Sequence, residues 1–437
     1  MFSKTNSLLP MHIKTIKERS PFVIFIPFLF LYVLYVVYFH TNQMVGDESR
    51  YIQFAENLFH GFYSPPYPNI DLINGPGYPI LLIPFVILKL PLISITLLNA
   101  VLHYLSVVYL FKAIHLIISS FKTACIVAIC WGCYFLAYQE MACILTESFT
   151  VFLVAIFSFQ VIYLFQNDHI HTYQLIQTGI VLGFIALTKV IFAYVIVALL
   201  LGALCVYVFN RTSVVYKKLL GFSVIAFITL SPYILYTYHL TGKVFYLSTA
   251  SGEMLYWMTS LDEQEYGDWN NHTFTANCNS TTPYCNSELL EKNHNEDYIR
   301  LNSIRSAIGV DSLFKELAIE HIQAKPLKYV KNWFANIGRL LFGFPTSYYF
   351  QSPTTLVRIY MNSIILLAMV YSLIVCLCNW KNISLEIKVL ICFSVIYLGL
   401  SSLVSAYPRQ FNVILPALLI WITYTVKRSV KINFKIK

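Results

Sequence analysis

Between Gly46 and Pro79 the chain reads GDESRYIQFAENLFHGFYSPPYPNIDLINGPGYP, a polar stretch wedged between two strongly apolar segments. Asp47 and Glu48 open it, immediately after an apolar run of about the length needed to cross a bilayer. Two adjacent carboxylates at a membrane boundary are costly to place there without a purpose. From Asp47 on, Tyr51, Phe54, Ala55, Leu58 and Phe59 recur at spacings of three and four, while Glu48, Gln53, Glu56 and Asn57 take the other side. That pattern predicts an amphipathic helix lying in the interface rather than crossing it. Gly61 ends it, and the Pro-rich piece Tyr63 to Pro68 leads to Asp71 and the turn-like Asn74-Gly75-Pro76-Gly77.

Composition sets the class. The 437 residues are 57% hydrophobic and 16% aromatic but only 12% charged, about half the share of a soluble domain. With a mean hydropathy of +0.64 the chain reads as an all-α polytopic membrane protein. The net charge of +9 would suggest nucleic acid in a soluble protein. Here the basic residues gather at Lys4, Lys14, Lys17 and Arg19, at Arg211, Lys217 and Lys218, and at Lys427, Arg428, Lys431, Lys435 and Lys437. Such clusters mark the cytoplasmic side of a membrane protein, and no nucleic-acid motif accompanies them.

A first span over 21–40, read as a retained anchor, places Asp47 outside. The apolar piece 78–90 is too short to cross and is interrupted by Pro79, Pro84 and Pro91. Further spans are expected at about 92–111, 120–138, 146–165, 173–188, 190–209, 218–239, 356–378, 386–405 and 410–427, ten in all, with both termini inside. Alternation then puts Lys112, the link 166–171 and the basic loop 211–218 inside, and Glu147, Lys189 and Arg409 outside. The expected division is a membrane module over 1–239 carrying the first outer loop 41–77, a polar outer region over 240–331 forming a small subdomain, and C-terminal membrane helices over 332–437. Cys278 and Cys285, in the run CNSTTPYC, read equally as a disulfide or as two free thiols. Asn271 and Asn279 begin glycosylation sequons by pattern.

Several pieces of this chain, in order, resemble the GT-C membrane glycosyltransferases, and within them the protein O-mannosyltransferase, aminoarabinose transferase and lipopolysaccharide-core transferase group. They are Asp47-Glu48 followed by Arg50-Tyr51, then Gly75 to Leu82, Leu145-Thr146-Glu147, Leu187-Thr188-Lys189, Ser231-Pro232-Tyr233 running to Leu247-Ser248-Thr249, and Tyr407 to Phe411. Two positions depart from the pattern: Lys189-Val190 stands where several relatives carry an arginine, and Arg409-Gln410 where they carry Arg-Tyr. Lysine keeps the charge but loses the two-pronged grip on phosphate.

The resemblance implies transfer of a sugar from a polyprenyl-phosphate carrier to a hydroxyl on a glycan, lipid or protein at the outer face of the membrane. A bacterial inner membrane is the expected setting. Because phosphate leaves as an anion, the chemistry needs cations near it and a carboxylate to take the acceptor's proton. Asp47 is the expected base, and Glu48 its neighbour that orients the acceptor or tunes the pKa of Asp47 by like-charge proximity. Arg50, Lys189 and Arg409 are the expected phosphate ligands, and Tyr51, Asp71, Tyr78 and Glu147 the expected acceptor pocket. Plainer readings compete: Asp47 as a helix N-cap, Glu147 as a cap, Lys189 snorkelling to headgroups, Asp71 as a turn residue. His60, His272, His294 and His321 lack metal-ligand spacing, so no obligatory metal or other cofactor is expected. The rivals are an O-antigen-type ligase or polymerase using a diphosphate-linked donor, and a lipid-linked sugar transporter, which would carry charges at mid-membrane.

Overall fold

A computed structural model describes residues 20–167, 172–209, 213–270, 286–348 and 351–433. Cys278, Cys285 and both sequons lie outside the described residues, as do His272 and Arg211. Among the described residues there is no strand, and helices carry the chain from end to end. After a single turn at Pro21–Ile24, they run α1 Ile26–Phe39, α2 Asp47–Phe59, α3 Gly77–Ile87, α4 Leu92–Ile118, α5 Phe121–Gly132, α6 Glu147–Gln166, α7 Thr172–Thr188 and α8 Ile191–Phe209. There follow α9 Val214–Thr241, α10 Ser251–Met258, α11 Asn286–Asn302, α12 Ala307–Ala324, α13 Pro326–Phe342, α14 Pro353–Cys378, α15 Leu385–Ser402 and α16 Pro408–Asn433.

Seven of these, α4, α6, α8, α9, α14, α15 and α16, are long and apolar enough to cross a membrane. An eighth arises if α5 and the 3₁₀ turns after it, Phe135–Ala142, count as one span bent by 46°. The remaining two of the ten expected spans are α1, broken from Pro21–Ile24 at Phe25, and α7, at 14 and 17 residues shorter than the rest. Over 78–90 the chain forms the 11-residue α3, with Pro84 inside it.

The bundle closes around α6, which packs against α4, α7 and α16 and buries most of its length. Helices α7 and α9 approach closely because Gly179 and Gly183 lie one turn apart on the contact face. A Cβ on either would stand 2.5 Å from Ile225 or Thr229. Small residues at that spacing let backbones meet where lipid offers no hydrophobic drive for association. At the opposite end from Asp47, Lys218 is buried and donates to the Leu164 carbonyl at 2.9 Å and to the Asn167 carbonyl, covering acceptors at the C-terminal end of α6.

Beyond the Asp47 end, α10 to α12 form a subdomain with its own small core, in which Tyr256, Trp257, Phe314 and Leu317 are buried. Its polar centre is a chain of hydrogen bonds. His294 Nε2 meets Glu265 at 2.9 Å, His294 Nδ1 meets the Tyr256 hydroxyl at 2.6 Å, and that hydroxyl donates to Asp297 at 2.7 Å. Burial raises the Glu265 pKa, but the hydrogen bond and charge of His294, with hydrogen bonds from Asn293 and Ser260, outweigh it and hold the group at about 2.

Candidate active site

The first loop is folded back onto the bundle by glycines and by tyrosine hydroxyls. A Cβ on Gly75 would stand 2.1 Å from the Leu187 carbonyl oxygen and one on Gly77 2.5 Å from Thr188 Oγ1, so only glycine lets this turn sit against the tip between α7 and α8. Tyr236 accepts from the Ser64 amide at 2.9 Å, and Tyr63 donates to the Asn74 carbonyl at 2.7 Å. The 247–249 segment joins the loop edge to edge: Leu72 N donates to Thr249 Oγ1, Thr249 N to the Leu72 carbonyl, and Ser248 Oγ to the Ile73 carbonyl. Tyr233 in turn holds the Leu247 carbonyl at 2.9 Å.

This folding brings together side chains from four separate stretches of chain. Asp47 receives Arg50 Nη1 on Oδ1 at 2.9 Å and Arg409 Nη2 on Oδ2 at 3.0 Å. Arg409 also reaches Glu147, Nε to Oε1 at 3.7 Å, and the same Glu147 oxygen takes Lys189 Nζ at 2.9 Å. The Arg50 Nε stands 4.0 Å from Asp71 Oδ2. The Arg409 guanidinium lies over the Tyr407 ring, 5.6 Å from its centroid, which fixes its approach to the carboxylates. The Glu147 side chain is 4% exposed and Lys189 17%, whereas Asp47, Arg50, Asp71 and Arg409 each keep a quarter to a third of their surface open. The result is a buried ion pair forming the floor of a polar cluster with an accessible rim.

Asp47 is not a cap. The N-cap of α2 is Gly46, whose positive φ of 62 suits glycine, and the Asp47 carboxylate is spent on two guanidinium groups. Glu147 likewise opens α6 after Thr146, which makes no capping bond, and points at Lys189 and Arg409. Glu48 goes elsewhere. Its Oε2 accepts from the Ile144 amide at 3.0 Å and its Oε1 from the Val45 amide at 3.4 Å, so it ties the start of α2 to the segment before α6. Asp71 has two duties, since its Oδ1 accepts from the Ile73 amide in a side-chain turn while Oδ2 faces Arg50. Tyr51 and Tyr78 are buried, packed edge to face at 5.3 Å, and held by Asn74 and Asn99 respectively. Burial, with Glu147 and Asp47 nearby, pushes the Tyr51 hydroxyl well above its ordinary range, so it acts here as a neutral hydrogen-bonding group.

Three residues join the cluster without having been singled out in the sequence as site residues. Asn74 accepts from Arg50 at 3.5 Å while donating to Tyr51 at 2.9 Å. Asn99 donates to the Cys143 carbonyl at 2.8 Å. Glu140 is buried below the cluster, takes Asn412 Nδ2 at 3.3 Å, and feels the charges of Glu147 and Arg409. An isolated carboxylate in the apolar run YFLAYQEMACIL is the signal that could have flagged it. Among the described residues no group of three or more His, Cys, Asp or Glu is placed to hold a metal ion. His294 and His321 pair with Glu265 and Asp297 in the subdomain, away from Asp47.

No family model matches this sequence, and neither does any curated protein. Among solved structures, the archaeal oligosaccharyltransferase AglB from Archaeoglobus fulgidus, in complex with an inhibitory peptide and a dolichol-phosphate, aligns with 94% of this chain and 52% of its own, at 12% identity and a TM-score of 0.48. A second Archaeoglobus fulgidus oligosaccharyltransferase structure, tethered to an acceptor peptide containing the NVT sequon, aligns with 94% of this chain and 50% of its own, at 13% identity and a TM-score of 0.46. This chain therefore spans about half the length of the structures it aligns with.

Proposed function

We propose that this protein is a GT-C-type membrane glycosyltransferase that moves a sugar from a polyprenyl-phosphate donor to a hydroxyl acceptor, with Asp47 as the base. The observation that carries the reading is the convergence of Asp47, Arg50, Glu147, Lys189 and Arg409 on one partly open cluster at one end of the bundle. A phosphate leaving group and a proton acceptor require that combination of cations and carboxylates side by side. Four of the six ordered motifs that resemble the GT-C group contain these residues.

In the reaction as proposed, the acceptor oxygen attacks the anomeric carbon from the face opposite the phosphate. The bond from that carbon to the phosphate oxygen breaks, the carrier departs as polyprenyl phosphate, and the acceptor's proton passes to Asp47. The outcome is inversion at the anomeric centre. Arg409 is shared between Asp47 Oδ2 and Glu147 Oε1. A phosphate drawing Arg409 and Lys189 toward itself frees one Asp47 oxygen to face the acceptor, so donor binding and base activation are linked. Glu147 holds both cations ready, and Glu48 positions α2 rather than touching substrate. We place the cluster at the outer face of a bacterial inner membrane, with the basic start of α9 at Lys217 and Lys218 inside.

The test is transfer of labelled sugars from a panel of polyprenyl phosphates into a cell-envelope extract by the purified protein in liposomes. Wild-type transfer that Asp47→Asn loses, while still folding and binding donor, is the expected result. Equal activity in the two would remove Asp47 as base. No transfer from any monophosphate donor would direct attention to diphosphate-linked donors or transport.

A further inference from the structure

Helix α13, PLKYVKNWFANIGRLLF over Pro326–Phe342, is built inside out. Its buried stripe is polar: Lys328, Asn332, Asn336 and Arg339 recur at spacings of four, four and three. Its outward stripe is mainly apolar, with Leu327 at 77%, Val330 at 42% and Phe334 at 64% exposed, and Lys331 at its edge reaches Glu263 at 3.6 Å. A helix of a soluble protein turns those faces the other way.

The polar stripe is bonded inward, residue by residue. Lys328 Nζ donates to the Glu265 carbonyl at 2.7 Å, and Asn332 Nδ2 to the carbonyls of Met258 and Ser260. Asn336 Nδ2 donates to the carbonyls of Ser402 and Val404, while its Oδ1 accepts from the Ala406 amide at 3.0 Å. Arg339 donates to the carbonyls of Tyr266 and Pro345. These bonds clamp the helix between the subdomain and the loop that leads from α15 to Arg409.

Its height in the fold is set by the same contacts. Trp333 Nε1 donates to Ser402 Oγ at 3.0 Å and Tyr329 donates to the Leu403 carbonyl at 3.3 Å, so α13 crosses the terminus of the membrane-length helix α15. Tryptophan, tyrosine and lysine at that level are the side chains that favour the boundary between headgroups and acyl chains. Next in the chain, α14 buries little of its apolar surface and shows Leu356 and Tyr360 outward. Two outward apolar surfaces thus adjoin at the level where the spans end.

We propose that the occupant of the outward face of α13 is the phospholipid bilayer. The helix lies along the leaflet on the Asp47 side, with Leu327, Val330 and Phe334 among the upper acyl carbons and its polar face turned to protein. Lipid contact then steadies the helix whose Asn336 fixes the approach to Arg409.

The experiment places the photoreactive amino acid benzoylphenylalanine at position 327, 334 or, as a water-facing control, 320 in the full chain, reconstituted in phosphatidylethanolamine–phosphatidylglycerol liposomes. After illumination, mass spectrometry reads the adducts. Phospholipid adducts at 327 and 334, several-fold above position 320, are the expected result. Adducts to a second copy of the chain at 327 and 334, or no excess of lipid adduct over position 320, would overturn the proposal. Because Leu327 and Phe334 are exposed, the larger side chain leaves the core intact, and a monodisperse elution profile verifies this for each variant.

Discussion

Glu147 and Lys189 make the sharpest quantitative test of the cluster. At 2.9 Å, with an effective dielectric constant of about 20, their attraction is about 6 kcal/mol, and taking both groups out of water offsets roughly half of it. Arg409 stands 3.7 Å from the same carboxylate oxygen and retains Asp47, so it compensates part of any loss. The expected coupling in a double-mutant cycle of Glu147→Gln and Lys189→Met is therefore about 2 to 3 kcal/mol. Each single variant leaves a poorly paired group and is less stable than the wild type, and the double variant recovers part of the difference. The assay is reversible denaturant unfolding in mixed micelles, followed by loss of compact tertiary signal, for all four proteins. A coupling below about 0.5 kcal/mol, the level of an exposed surface pair, would show that the pair is solvated and that Glu147 is not the floor of the site.

Three further outcomes follow from single contacts. Gly75→Ala forces a Cβ to 2.1 Å from the Leu187 carbonyl, and neither backbone can yield without moving the loop. A destabilisation of about 1 to 3 kcal/mol is expected, together with faster proteolysis between residues 61 and 77, and an unchanged digestion rate would contradict the close approach. Asn336→Ala removes bonds to Ser402, Val404 and Ala406, so hydrogen exchange at 402–407 should quicken while exchange within α6 stays as it was. The pKa of Glu265 is depressed from 4.5 to about 2, so its contribution is present above pH 4.5 and is lost as the pH falls toward 2. That window is worth roughly 3 kcal/mol, and acid unfolding of the subdomain, followed by tryptophan fluorescence, should lose this slope in Glu265→Gln.

Much of the architecture was legible because the signals are local. A hydrophobic run of about 20 residues declares a membrane-length helix whatever its neighbours are, since a helix alone satisfies its backbone hydrogen bonds within one segment. The spacing from Tyr51 to Phe59 and the stop at Gly61 marked α2, which spans Asp47–Phe59. Alternation of spans put Asp47, Glu147, Lys189 and Arg409 on one side, and they meet at one end of the bundle. Short elements were less legible. α1 and α7, at 14 and 17 residues, are shorter than the seven long apolar helices, and α5 bends into 3₁₀ turns, where helix ends depend on packing.

Sequence by itself determined that this chain is an α-helical membrane protein whose charged residues collect at helix ends, because burying charge in lipid is too costly to be scattered. It also supplied the candidates for the site. What only the tertiary structure decided is how those candidates are used. Asp47 and Glu48 are adjacent in sequence, yet one is held by two arginines and the other is tied to a backbone amide, since successive residues on a helix point about 100° apart. Whether Arg409 meets Asp47, 362 positions away, rests on the loop held by Asn336 and on glycines that let the first loop reach the α7 tip. Likewise the apolar stripe of α13 faces outward only because its asparagines and arginine found backbone partners inside, a choice that no local pattern encodes.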